Sequence, residues 1–320
     1  PGPWGFSLGR AGIILVSDEE LEALADPDRV LNLSLTFDKV EASLRQVCER
    51  AQAAGQRTLI IAFDHFFSQY RPGQDKPRTL TPDMDEYVQR IAAISRFAEG
   101  YGLGLELSLL SPLEIGPAYT KATGESGTWM QYRKGLRDPT TGAFSVQMWE
   151  QRAWANNKGI ITPERTGVRV FAFREQALHG TPYRVVDPDS IREVSEGVQI
   201  AEFEDTGRSQ RRVRVFGSGQ TDVGPLDRVL VVLQYRTPEM DYFSENALPF
   251  LKQLVDKYAA AGVKLNGLYS DEMHIQQDWN YFGHHDHGEF AMRYVSDGIA
   301  RRYAELYGEG YRDFARYLVY

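Results

Sequence analysis

Apolar residues recur along this chain in two rhythms, and the order in which the rhythms alternate predicts the architecture. "RVLNLSLTF" (Arg29 to Phe37) is a short apolar run leading to Asp38, and "DKVEASLRQVCERAQAAG" behind it repeats apolar positions at Val40, Leu44, Val47, Cys48 and Ala51 before Gly55. The first pattern is that of a strand, the second that of an amphipathic helix closed by glycine. "RTLIIAF" (Arg57 to Phe63) is unbroken from Leu59 to Phe63, as suits a strand covered on both faces. Beyond it, Thr81 and Pro82 suit the cap and first turn of a helix from Pro82 to Ala98, and Gly102 precedes the strand-like "LGLELSLL". The rhythm returns in the strand "DRVLVVLQY" (Asp227 to Tyr235), the helix "NALPFLKQLVDKYAAAG" (Asn246 to Gly262) and the strand "VKLNGLY" (Val263 to Tyr269). "GIILV" (Gly12 to Val16) reads as a further strand, unassigned to the main sheet, followed by a helix capped at Ser17.

From Gly159 to Gly219 the character changes. Short alternating pieces, "GVRVFAF", "GVQIAEF" and "RRVRVFG", are separated by Gly, Pro and Asp turn signals. This predicts an inserted antiparallel β module of about 60 residues. The division is 1–158 for the first part of the main unit, 159–222 for the insert and 223–320 for the continuation. Strands alternating with helices imply a parallel sheet, either closed as an eight-stranded barrel or open and doubly wound. Neither G-x-G-x-x-G nor G-x-x-x-x-G-K-[ST] occurs, which weakens nucleotide readings and favours the barrel. The expected fold class is therefore α/β, a parallel (β/α) barrel with a small antiparallel insert. Only five or six units are visible, and "FARYLVY" stops inside a helical period, so the expectation is an incomplete segment of a (β/α)8 barrel within a longer polypeptide.

In a parallel barrel, function sits where the strands end, and here acids follow almost every apolar run. They are Asp38; Asp64 with His65; Glu106 inside its strand and Glu114 beyond; Glu239 and Asp241; and Asp271 with Glu272 in "LNGLYSDEMHIQQDW". Acids converging on one rim repel one another and lose hydration, which raises one carboxyl pKa while another stays ionised. Cleavage of a glycosidic bond needs such a pair: one carboxylic acid protonates the departing oxygen, and a carboxylate attacks the anomeric carbon or activates water. The expected catalytic set is Glu272, Asp271, Glu239 and Asp64. Period-2 geometry separates Glu272 and His274 from Asp271 and Met273, and either acid could face the pocket.

Sugars also require aromatic faces and dense hydrogen-bonding groups. Four of the five tryptophans fall in "GTWMQYRKG", "VQMWEQRAWANNKG" and "IQQDWNYFGHHDHG", read as loops after strands. The expected substrate-binding set is His65, Glu106, Trp129, Trp154, Asn156, Asn157, Tyr235, His274, Gln277 and Trp279. Acid-tipped strands, "GLYSDEMHI" and aromatic loops together resemble a bacterial TIM-barrel glycoside hydrolase over roughly Arg29 to Leu110 and Asp227 to Trp279. The resemblance implies strand-end glutamates as acid/base and nucleophile, with Glu272 as one of them.

Two other functions are compatible with the same residues. One is a metal-dependent hydrolase using Asp64, His65, Asp271 and His274; the other is a carbohydrate-binding protein without turnover. "HHDH" (His284 to His287) offers metal-type ligands, but adjacent side chains diverge and no spaced partner motif accompanies them, so helix-start capping is the better reading. No metal and no cofactor are expected. The Tyr-rich end from Met292 to Tyr320 has helical spacing and reads as core-facing helices.

Composition narrows the partners. The 320 residues are 42% hydrophobic and 25% charged, with a formal net charge of -8. An acidic chain without a long basic run is a poor match for a phosphate backbone, so no nucleic acid is expected. The short cluster Arg208, Arg211, Arg212 and Arg214 reads as a solvated strand face. No apolar run approaches the roughly 18 residues of a membrane span, and the start carries no signal-peptide pattern, so no membrane partner is expected. The single cysteine, Cys48, rules out an internal disulfide and fits a reducing, cytoplasmic setting. Oligomeric state is not encoded in any feature of this kind.

Overall fold

The structure, a computed structural model, describes residues 10–16, 18–35, 38–63, 80–110, 112–151, 163–203, 210–218, 221–270 and 291–319. In chain order the first elements are β1 (Arg10–Val16), α1 (Asp18–Ala23), β2 (Leu31–Leu35), β3 (Asp38–Ala42), α2 (Leu44–Ala53), β4 (Thr58–Phe63), α3 (Asp85–Glu99), β5 (Gly104–Leu107) and α4 (Pro112–Thr123). A run of strands follows: β6 (Gly127–Leu136), β7 (Ala143–Gln151), β8 (Glu164–Phe173), β9 (Glu175–Ala177), β10 (Arg184–Val186), β11 (Arg192–Glu193), β12 (Gln199–Glu202), β13 (Gln210–Ser218) and β14 (Arg228–Thr237). The remainder is α5 (Ala247–Ala260), β15 (Leu265–Leu268), β16 (Ala291–Val295), α6 (Asp297–Tyr307) and α7 (Phe314–Tyr317).

The main sheet is open and mixed, in the order β15-β5-β4-β1-β2-β3. Its members β15, β5, β4 and β1 are parallel, whereas β2 runs antiparallel to β1 and to β3. The expected parallel barrel is therefore overturned: the described residues form no closed barrel, and most strands are antiparallel. One cause lies at Asp38, read above as an acid between a strand and a crossover helix. Only two residues separate β2 from β3, and a link that short returns antiparallel, because a parallel crossover takes a dozen residues or more. The expected helix over Asp38 to Gly55 thus splits into β3 and α2. Ser43 divides them, its side chain accepting from Gln46 N while the Gln46 side chain accepts from Ser43 N, a reciprocal cap that starts α2.

One face of this sheet presents Leu59, Ile61, Leu105 and Leu107 to α2, α3 and α5, in a core shared with Val47, Ile91, Ile94, Leu254 and Tyr258. Each such side chain contributes about 1.5–3 kcal/mol on burial, and the helices carry matching apolar stripes. Cys48 lies within this core, where burial pushes its thiol up to about 12.

The second unit is antiparallel. A five-stranded sheet, β11-β8-β14-β6-β16, faces a three-stranded sheet, β12-β13-β7. β14 was read as a barrel strand because Val229 to Leu233 are all apolar; it is instead the centre of the larger sheet, between β8 and β6. Val229, Val231 and Leu233 pack toward β7 and β13, and Leu230 and Val232 pack under the C-terminal segment with Ala315 and Val319. A strand covered on both faces reads alike in parallel and antiparallel sheets, so the apolar run could not fix its direction. Antiparallel strands extend from Gly127 to Thr237, beyond the 159–222 insert, and β16 returns to the edge of β6. Among the described residues, no helix is long and apolar enough to cross a membrane.

Candidate functional site

The four parallel strands end together. Val16 is opposite Phe63, Ile61 opposite Leu107, and Leu268 opposite Leu107, so their carboxyl ends form one edge. In open α/β sheets, ligands bind outside this edge. Beyond the strands, β5 and β15 stay joined: Tyr269 N donates to Leu107 O at 2.8 Å, Leu110 N to Tyr269 O at 3.3 Å, and Ser270 Oγ to Leu110 O at 3.2 Å. Ser270 is thus held at Leu110, two residues before α4, and β4 ends at Phe63. Asp64, His65, Trp154, Asn156, Asn157, Asp271, Glu272, His274, Gln277 and Trp279 lie outside the described residues, as does "HHDH".

Glu106 is described and buried, 8% exposed, on the sheet face opposite Leu105 and Leu107. Its carboxylate lies so close to Gly267 of β15 that a methyl group there would meet Glu106 Oε2 at 3.2 Å. That approach requires glycine or a displaced glutamate.

Glu239 is brought to the same region by a long-range contact. After β14, Pro238 turns the chain over α4, where its carbonyl oxygen occupies the space a side chain at Gly116 would need. Gly116 lies four residues into α4, about 6 Å along its axis from Pro112. Glu239 N donates to Thr237 O at 2.8 Å, Gly127 N donates to Glu239 O at 2.9 Å, and Met240 enters the main core. The Glu239 side chain is 1% exposed. Trp129 Nε1 donates to its Oε2 at 2.6 Å, and Oε1 has no hydrogen-bond partner among the described residues. Burial pushes the carboxyl up to about 7, with the indole N–H and then the nearby Thr237 side chain acting in the opposite direction. Burial, and then the nearby Glu239, push the Tyr242 phenol up as well. At neutral pH this is a carboxyl that holds its proton about half the time.

Trp129, read above in a loop, lies on a strand, as Tyr235 does. They are register partners on β6 and β14, both facing the core between the two antiparallel sheets, 2% and 1% exposed. Trp129 is committed to Glu239. Tyr235 donates to Glu150 Oε2 at 3.1 Å, and the same carboxylate accepts from Arg165 at 2.7 Å and from Arg211. Both guanidinium groups continue to Glu202, so Arg211 belongs to a network rather than to a freely solvated face. Glu150 was missed above, although its phase was visible: in "AFSVQMWEQ", Phe144, Val146 and Met148 alternate inward, and Glu150 falls on the same phase. Asp241, grouped above with Glu239, does other work. It accepts from Ser296 Oγ and, at 3.0 Å, from Gly298 N, holding the start of α6.

Among the described residues, no group of three His, Cys, Asp or Glu side chains is arranged to hold a metal ion. Comparison with known proteins finds no family model that matches the chain and no curated protein similar to it in sequence.

Proposed function

We propose that the chain is a glycoside hydrolase in which Glu239 is the proton donor and the Asp271–Glu272 pair supplies the second carboxylate, with Glu272 the first choice. The observation that carries the reading is the state of Glu239, a carboxyl buried without a bonded cation among the described residues and protonated into the neutral range. Proton donation to a leaving oxygen needs a carboxyl in that state at working pH. Two further features support it. Glu239 packs against the helix that follows β5, and β15 runs on beside β5 to within one residue of Asp271. In the reaction, the Glu239 proton passes to the glycosidic oxygen as its bond to the anomeric carbon breaks. The second carboxylate attacks that carbon or takes a proton from the attacking water, and water supplies the new hydroxyl. Oε2 is fixed by the indole, so the transferable proton resides on Oε1.

The test is leaving-group dependence. On a panel of aryl and alkyl glycosides of the common sugars, Glu239→Gln should lower turnover of alkyl glycosides by about two to four orders of magnitude. Dinitrophenyl glycosides, whose leaving phenolate needs no proton, should lose far less, while Glu272→Gln should silence both. Equal loss on every leaving group would remove the donor role from Glu239, and a wild type inert to the whole panel would remove the hydrolase reading.

A further inference from the structure

On the other face of β6 is a second region with recognisable chemistry. Trp129 points toward Glu239, whereas its neighbours Thr128 and Met130 line a cavity of about 870 Å³ between the five-stranded sheet and α6. Among the described residues of its wall, Arg169, Arg236, Arg301 and Arg312 are balanced by Glu125, Asp241, Asp297 and Asp313, giving no net charge. Each arginine already has a carboxylate partner: Glu193 and Asp313 for Arg169, Glu164 for Arg236, Glu305 for Arg301, Glu309 for Arg312. Such a wall offers no unpaired guanidinium to a phosphate, and two of its acids, Glu125 and Asp241, are taken up by Tyr119, Asn246, Ser296 and Gly298. It is rich in hydroxyl, amide and guanidinium groups, suited to a neutral ligand with many hydroxyls.

One wall residue, Phe314, also belongs to an aromatic row. Phe314 lines the cavity and lies 5.0 Å from the Tyr303 ring; Tyr303 lies 4.6 Å from Tyr307 and 6.4 Å from Tyr311, which stacks on Tyr317 at 5.7 Å. These tyrosines do not face the core as their spacing suggested. Tyr303, Tyr307 and Tyr311 are 39%, 60% and 47% exposed, while Ala304 and Ala315 are buried in their place. Exposed aromatics grouped in this way mark a binding surface, and their amphipathic rings suit a partner with apolar faces and hydroxyl edges.

The geometry points to a saccharide-binding site on the face of β6 opposite Trp129: a neutral glycan chain with one residue in the cavity and the following residues laid over Tyr303, Tyr307 and Tyr311. Binding here needs no turnover and does not rest on the hydrolase assignment.

Affinity electrophoresis through gels containing β-glucan, xylan, galactomannan or dextran, with polygalacturonate as an anionic control, tests the site. Wild type should be retarded by at least one neutral glycan and by polygalacturonate least. The surface pair Tyr307→Ala/Tyr311→Ala should weaken that binding at least tenfold with an unchanged denaturation midpoint. Gln234→Ala, inside the cavity, should weaken it as well. Retardation by none of the glycans, or equal retardation of wild type and the tyrosine pair, would overturn the site. So would sedimentation showing a wild-type dimer that the tyrosine pair dissolves, because the row would then be a contact between copies. Aryl glycoside turnover is scored separately, so either reading can fail while the other stands.

Discussion

Two glutamates lie at equal depth on the two sides of one aromatic pair, and the molecule treats them in opposite ways. Glu150 and Glu239 are 2% and 1% exposed, and their donors Tyr235 and Trp129 are register partners on adjacent strands. Within the sandwich, Glu150 is buried with its counter-charges, Arg165 and Arg211. At the junction with the parallel sheet, Glu239 receives an indole N–H and no guanidinium among the described residues, so desolvation governs it. A carboxylate with two cations is a structural bracket; a carboxyl with none keeps a proton that it can give away. Depth alone therefore says little about an acid, and the partner decides its chemistry.

The largest expected effect falls on the bracket. Glu150→Ala leaves two three-quarters-buried arginines sharing the half-exposed Glu202, and breaking a buried pair from one side costs about 3–5 kcal/mol. Urea denaturation measures it, and a loss under about 1 kcal/mol would place the network among ordinary surface pairs. Next comes the pH dependence of Glu239. Its carboxyl rises from an ordinary 4.5 to about 7 on folding, so between those values the folded protein holds a proton that the unfolded chain releases. Stability should then fall as pH rises through that window, by about 3 kcal/mol in all, and level off above it. Glu239→Gln cannot titrate, so subtracting its stability curve from the wild-type curve isolates the slope; a flat difference from pH 4 to pH 8 would show that the carboxyl is hydrated.

Much of the parallel layer could be read from local pattern, and the reasons it stopped there are physical. β1, β4, β5 and β15 follow from apolar runs, and α2, α3 and α5 from their stripes and closing glycines. Strand direction was not available from those runs. It was set between β2 and β3 by a link too short to cross over, and at β14 by antiparallel pairing with β6 and β8, distant in sequence. The candidate site divides the same way. Acids after the parallel strands are visible because they adjoin the strands in sequence. The burial of Glu239 is not, because "TPEMDYF" reads as a turn, and the segment packs on Gly116 and bonds Trp129, both far away in sequence. Trp129 in "GTWMQYRKG" read as a loop aromatic because its partner strand β14 begins 92 residues after β6 ends (Leu136 to Arg228).

That distant contact can be disturbed by itself. Gly116→Ala gains a little helix propensity, but its methyl group would overlap the Pro238 carbonyl oxygen. Overpacking of this kind costs about 1–3 kcal/mol, and because the displaced segment carries Glu239, the pH window should move with it. A loss of stability with an unmoved window would uncouple Gly116 from the acid.

The smallest expected effect separates the two aromatic donors. Tyr235→Phe removes one hydrogen bond from Glu150 and leaves both guanidinium groups in place, so the cost should be about 0.5–1.5 kcal/mol and the same from pH 5 to pH 8. Trp129→Phe removes the donor bonded to Glu239 Oε2, which favours the protonated carboxyl still more and carries the titration window above about 7. The two substitutions alter neighbouring side chains on one face of one sheet, so shape changes are local to the same core. Only the tryptophan variant should shift the pH at which stability levels off. If the tyrosine variant shifts it equally, the two glutamates titrate as one system and the contrast between them dissolves.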